Sequence, residues 1–120
     1  MLKDSYVTNE TENLIRYLSG VLCGEDDPDD IVIDREDEPV SEEAAFYSDI
    51  KRMISEKDIN GAENALYDML EQLPGTKILI VALKFYSDIS RLDDIILSEC
   101  DFTRTEILEG LQEIEKLINC

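Results

Sequence analysis

Apolar residues recur along this chain at the spacing of helical faces, and stop signals fall between the runs. The most regular case is Ala62, Ala65, Leu66, Met69, Leu70 and Leu73, which stand at i, i+3, i+4, i+7, i+8 and i+11. That pattern predicts a helix with one buried face. Asp58 or Asn60 is placed to cap its start, and Leu73-Pro74-Gly75 stops it. Upstream, Phe46, Ile50, Met53 and Ile54 mark a helix from about Glu42 to Glu56. Ser41 is its N-cap, and Glu42 and Glu43 complement its dipole. Lys57 to Gly61 is the turn between the two. Nearer the N-terminus, Leu14, Leu18, Val21 and Leu22 predict an amphipathic helix from about Asp4 to Cys23, with Gly24 as its stop. Its apolar stripe must dock on the rest of the fold, on a partner or on a second copy.

The run from Thr76 to Ser90 is apolar almost all round. A buried strand competes for it, because Ile78, Ile80 and Val81 are β-branched. Helix is favoured because Lys77, Lys84, Asp88 and Arg91 are spaced 7, 4 and 3 apart and so form one narrow polar stripe at helical period. This predicts a central helix with little exposed surface. Asp93 to Glu99 reads as a short helical turn. Thr103-Arg104-Thr105-Glu106 is a capping-box pattern opening a last helix to about Ile118, with Ile107, Leu111, Ile114 and Ile118 inward. No segment reads as a sheet strand. The expected class is all-α, with five or six helices in one domain spanning residues 1–120.

Composition adds one anomaly. Acids outnumber bases 29 to 11, a formal net charge of −18. Such a field repels nucleic acid and anionic membrane surfaces and favours basic or apolar partners. Much of it sits in GEDDPDDIVIDREDEPVSEE, residues 24–43, where eleven of twenty side chains are acidic. Pro28 and Pro39 oppose continuous helix there, so residues 24–40 read as an acidic crossover between the first helix and the rest. Ile31, Val32 and Ile33 are its expected anchor. A calcium loop begun at Asp26 fails, since it puts Ile31 where a glycine is needed and Asp37 where a bidentate glutamate is needed. Mimicry of nucleic acid needs a fixed array of charges, which a proline-containing, mobile segment does not supply.

Other chemistry is sparse. Histidine is absent, which removes the usual general base and metal ligand. Cys23, Cys100 and Cys120 are too far apart for a zinc motif or a disulfide framework, and no glycine-rich phosphate loop occurs. Paired acids such as Asp93-Asp94 look like solvated helix faces. The first residues lack the cationic and apolar runs of a signal peptide, and the longest apolar run, Ile78 to Leu83, is far short of the roughly 20 residues of a membrane span. A cytoplasmic protein without catalytic, metal or cofactor residues is expected.

Residues 43–76 resemble a single tetratricopeptide repeat. With Ala62 at the small position of the second helix, Phe46 falls on the first large aromatic position, Leu66 on the large position of the second helix and Pro74 on the terminal proline. The resemblance departs at Asp49, where leucine is usual, and at Ile50, where a small residue is usual. The whole chain also resembles an uncharacterised family of small bacterial helical proteins. The segments that carry this are Asp4-Ser5-Tyr6, the acidic linker, Ile59-Asn60-Gly61-Ala62-Glu63-Asn64, Phe85-Tyr86, Asp101-Phe102-Thr103-Arg104-Thr105-Glu106-Ile107 and Gly110-Leu111. Arg16 does not supply the arginine expected close after the tyrosine. This resemblance implies a helical fold and a cytoplasmic location and implies nothing about mechanism.

These readings converge on a non-catalytic helical protein–protein interaction module, with a tetratricopeptide-like antiparallel pair flanked by capping helices. Its expected partner is a protein or peptide, basic or apolar, and the candidate contact residues are Phe46, Tyr47, Met53 and Tyr86. The alternatives are a homodimeric structural protein sealed by the first helix and a small acidic metal-dependent enzyme.

Overall fold

The computed structural model describes residues 2–25, 27–28, 31–34, 37, 39–73 and 75–119. Its elements in chain order are α1 (Leu2–Cys23), α2 (Glu42–Ser55), α3 (Ile59–Gln72), α4 (Thr76–Ser90), α5 (Asp94–Glu99) and α6 (Arg104–Asn119). The class is all-α, and no strand occurs among the described residues.

The helix ends follow local chemistry. Ser41 Oγ accepts the Ala44 amide at 3.1 Å and opens α2, and Asp58 Oδ1 accepts the Gly61 amide at 3.1 Å and opens α3. Asp93 Oδ1 caps α5 through Ile96 N at 2.9 Å, and Thr103 Oγ1 caps α6 through Glu106 N at 3.1 Å. Gly24 closes α1 with φ 72° and its N–H on the Gly20 carbonyl. The ends of α2 and α5 are alike. Lys57 and Asp101 take left-handed conformations (φ 63° and 54°), and the next amide reaches back, Asp58 N to Met53 O and Phe102 N to Leu97 O. A cap then follows at once, so each turn is minimal. Asn60 Nδ2 joins the two turns by donating to the carbonyls of Cys100 (3.1 Å) and Asp101 (3.4 Å).

The central element is α4, which touches α1, α2, α3 and α6. Ten of its fifteen residues are buried, against one of fourteen in α2 and three of fourteen in α3. Those four helices therefore wrap α4 and shed their polar faces to solvent. One expectation is corrected in α1: Val21 is exposed, while Thr11 and Ser19 are buried. At about 100° per residue Val21 stands roughly 90° from the Ile15–Leu18–Leu22 line. The two hydroxyls fit inside because each donates back to its own helix, Thr11 to Val7 O at 2.7 Å and Ser19 to Ile15 O at 2.8 Å.

Candidate functional site

The polar stripe of α4 is the seat of the acidic crossover. Lys77, Lys84 and Arg91 are seven residues apart, so they project from nearly the same side of the helix. Lys77 Nζ meets Asp34 Oδ1 at 2.9 Å, Lys84 Nζ donates to the Pro28 carbonyl at 2.8 Å, and Arg91 meets Asp27 at 3.4 Å. The described crossover residues Asp27, Pro28 and Asp34 thus lie antiparallel along α4, held against it by these contacts. Ile31 is 4% exposed and joins the core, Ile33 packs partly against it, and Val32 is 72% exposed. The expected three-residue anchor is therefore one buried side chain with one supporting neighbour. Asp26 and Asp30 of the rejected calcium loop, along with Pro74 and Cys120, lie outside the described residues.

Asp34 also accepts the Ser41 amide at 2.9 Å, which couples the crossover to the start of α2. That backbone donor first, and the Lys77 ammonium second, hold the Asp34 carboxyl at about 2, below its ordinary 3.8. The folded value lies below the unfolded one, so the unfolded chain binds more protons as pH falls from about 4 toward about 2. The stabilisation is complete above this window and is lost as pH falls through it. Asp34→Asn is expected to be less stable than the native chain at pH 7, with the gap in urea midpoints closing as pH approaches 2. A gap that stays constant would show that Asp34 is not held this way. The difference is the informative quantity, because protonation also relieves the self-repulsion of a chain at −18.

The four candidate contact residues divide. Tyr86 is 1% exposed, so it belongs to the core and offers no face to a partner; its position on the mostly buried α4 is the reason. Phe46 and Met53 are half-buried and pack on the core. Tyr47 is half-buried too, with its hydroxyl donating to Asp88 Oδ2 at 2.7 Å. The Lys51 and Lys84 ammonium groups lie 5.4 and 5.7 Å from its ring centroid. Phe46, Tyr47 and Met53 pack α2 on the core while Tyr86 faces α3 and α6, so the four do not form one open contact surface.

Open concave surface occurs elsewhere. A groove of about 460 Å³ runs between α3 and α6, with Glu63, Glu106, Glu109 and Glu113 on its walls and Gly110 and Tyr67 beside them. Gly110 is the seat of the Tyr86 ring: a Cβ there would overlap the ring tip and its hydroxyl. Tyr86 donates to Glu63 Oε2 at 2.6 Å and lies 3.4 Å from the Tyr67 hydroxyl. Burial, then the Glu63 bond, hold the Tyr86 hydroxyl protonated far above the usual phenol range. Burial chiefly, with the nearby Glu106 charge, pushes the Glu63 carboxyl up, and the Tyr86 hydrogen bond opposes this. No sequence motif marked this groove, because its acids come from two helices some forty residues apart.

A larger cleft of about 570 Å³ lies where α1, the start of the crossover, α4 and α6 meet, with Arg16, Arg91 and Arg104 among its walls. Cys23 is exposed, and burial with the Glu25 charge pushes its thiol up, away from the reactive thiolate; Cys100 is buried. Among the described residues, no group of three or more Cys, Asp and Glu side chains is placed to hold a metal ion, and no helix is long and apolar enough to cross a membrane.

No curated protein and no solved structure matches the chain. One family model does. Its match runs through every helix, the crossover and both clefts, from residue 1 to residue 119, and the chain therefore belongs to that family, described as a family of unknown function (DUF6483).

Proposed function

We propose that this chain is a non-catalytic helical module that holds a basic segment of another protein in the groove between α3 and α6. The observation that carries the reading is the convergence of Glu63, Glu106, Glu109 and Glu113 from two helices around one groove. Among the described residues lining it, Lys116 is the one cation, and it pairs with Glu113 at 3.1 Å. Burial chiefly, with the Glu106 charge beside it, raises the Glu63 carboxyl, and a bound lysine or arginine would favour its charged form. The exposed Tyr67 ring gives such a side chain an aromatic face to lie on. Glu63, Glu106 and Gly110 fall in the segments on which the family resemblance rests.

The architecture supports the same reading. The pair α2–α3, joined by a minimal turn and followed by α4, suits a tetratricopeptide-like module, and grooves between such helices take peptides. A basic partner is the complement of a net charge of −18, and the free thiols of Cys23 and Cys100 suit a reducing cytoplasm.

Fluorescence anisotropy with a short, labelled lysine- and arginine-rich peptide tests the proposal. Binding is expected at low ionic strength and should weaken steeply toward physiological salt. The double variant Glu106→Gln/Glu109→Gln should bind about tenfold more weakly. Absence of binding at low salt removes the reading. Undiminished binding by the double variant removes the groove and leaves only general charge attraction.

A further inference from the structure

The cleft between α1, α4 and α6 has a character opposite to that of the chain. Of the four arginines among the described residues, Arg16, Arg91 and Arg104 line it, although acids outnumber bases 29 to 11 overall. They come from α1, the end of α4 and the start of α6, so the fold and not a local motif gathers them. Glu12 and Asp27 are also on the rim, and Arg91 is engaged with Asp27 at 3.4 Å. Ile15 and Ile107, both buried, supply apolar wall.

Two of these groups are prepared for a ligand in different ways. Arg104 is fixed. Its Nε donates to Asp94 Oδ1 at 2.7 Å, Nη1 to Ser90 O at 3.0 Å and Nη2 to Leu92 O at 2.8 Å. A guanidinium has five N–H donors, so two remain on a group already held still, and little further ordering is needed when they are used. Arg16 is exposed and makes no ion pair among the described residues. Beside them Ser87 is 2% exposed, and its hydroxyl has no hydrogen-bond partner among the described residues. A serine in that setting ordinarily bonds back to its own helix, as Ser19 does on α1. No side-chain atom that is itself buried lacks a partner among the described residues, so the Ser87 Oγ opens on the cleft wall beside the fixed Arg104 guanidinium, where an acceptor can reach it.

We propose that this cleft binds a small organic anion, with its phosphate or carboxylate group on Arg16, Arg104 and Ser87 and a compact apolar body against Ile15 and Ile107. A cleft of about 570 Å³ is in the range that encloses small molecules, and it exceeds what a bare oxyanion would fill. The overall negative field does not forbid this, since charges beyond about 8 Å are screened at physiological ionic strength. The site is separate from the α3–α6 groove and does not depend on the protein-binding role.

The test is an amide-resolved NMR titration of the full chain with phenyl phosphate and, separately, benzoate. Saturable shifts centred on Arg16, Ser87 and Arg104 are expected with at least one probe, and the stronger of the two identifies the anion class. Arg16→Gln and Ser87→Ala should each weaken binding about tenfold. Neither removes a hydrogen bond or ion pair seen in the described fold, and the same spectra report folding directly. Arg52→Gln, at an exposed arginine on α2 outside the cleft, should bind as the native chain does. The proposal is overturned if neither probe gives saturable shifts at the cleft at millimolar concentration. It is equally overturned if Arg52→Gln weakens binding as much as Arg16→Gln, or if Arg16→Gln and Ser87→Ala both leave it unchanged.

Discussion

Gly110→Val is expected to destabilise the chain by about 3 kcal/mol, the upper end of the usual cost of forcing extra carbons into a packed core. Glycine inside a helix gives up roughly 1 kcal/mol relative to alanine, so its use at the middle of α6 calls for a packing reason. The reason is the Tyr86 ring, whose tip and hydroxyl occupy the space a Cβ at Gly110 would take. A flexible side chain would yield cheaply, but this ring cannot. It is buried, it packs edge-on against Phe85 at a centroid distance of 4.9 Å, and its hydroxyl is tied to Glu63. Moving the tip breaks that bond and leaves a phenol in the core without its acceptor. Gly110→Ala should cost less than valine, because it adds one carbon and regains helix propensity. Urea unfolding gives the order native, alanine, valine, from most to least stable. In the double variant with Tyr86→Leu the valine penalty should shrink by more than about 1 kcal/mol, the mark of a direct contact. A valine variant as stable as the native chain would show that the ring does not fill this seat.

The contact also shows what the sequence could and could not disclose. Helix ends were legible because caps are local: Ser41 and Thr103, and Asp58 as one of two options, bond to amides three residues on, so a few letters contain the whole interaction; Asp93 does the same for α5 but was not singled out as a cap. The central position of α4 was legible because an apolar surface on nearly every side has nowhere else to go. Its stripe of Lys77, Lys84, Asp88 and Arg91 was visible as a pattern but not in its purpose, since the crossover it receives lies 43 to 64 residues away. The turn at Lys57 was legible, but the left-handed conformations of Lys57 and Asp101 gave no signal, because glycine is the letter that advertises them. Both clefts were illegible for the same reason as the stripe: Arg16, Arg91 and Arg104, like Glu63 and Glu109, are neighbours only after packing. Four of the segments carrying the family resemblance, those holding Asn60, Tyr86, Asp101 and Gly110, meet at one joint. Asn60 bonds the Cys100–Asp101 turn, Glu63 accepts from Tyr86, and Tyr86 sits over Gly110.

Ile31→Ala is expected to cost about 2–3 kcal/mol, while Val32→Ala one residue later should change stability by less than about 0.5 kcal/mol. The contrast decides what holds the acidic crossover. Fixing each residue of such a segment costs on the order of 1–2 kcal/mol of backbone entropy, and its crowded acids repel one another. The visible ion pairs are weak compensation. Arg91 and Asp27 are each about half exposed, and exposed pairs contribute from nothing to about 1 kcal/mol. Lys77 with Asp34 is better shielded, and Lys84 donates to the Pro28 carbonyl in a buried position. These contacts set the direction and register of the segment along α4. The larger free energy comes from Ile31, whose side chain leaves water almost completely, and its truncation leaves a cavity beneath a segment with little else to fill it. Equilibrium urea unfolding of the two single variants measures the difference. If both lie within 0.5 kcal/mol of the native chain, the crossover is tethered by charge alone, and its stability should then fall with added salt. If Ile31→Ala alone is costly and salt has little effect, the acidic segment is a packed part of the fold whose negative face is turned outward.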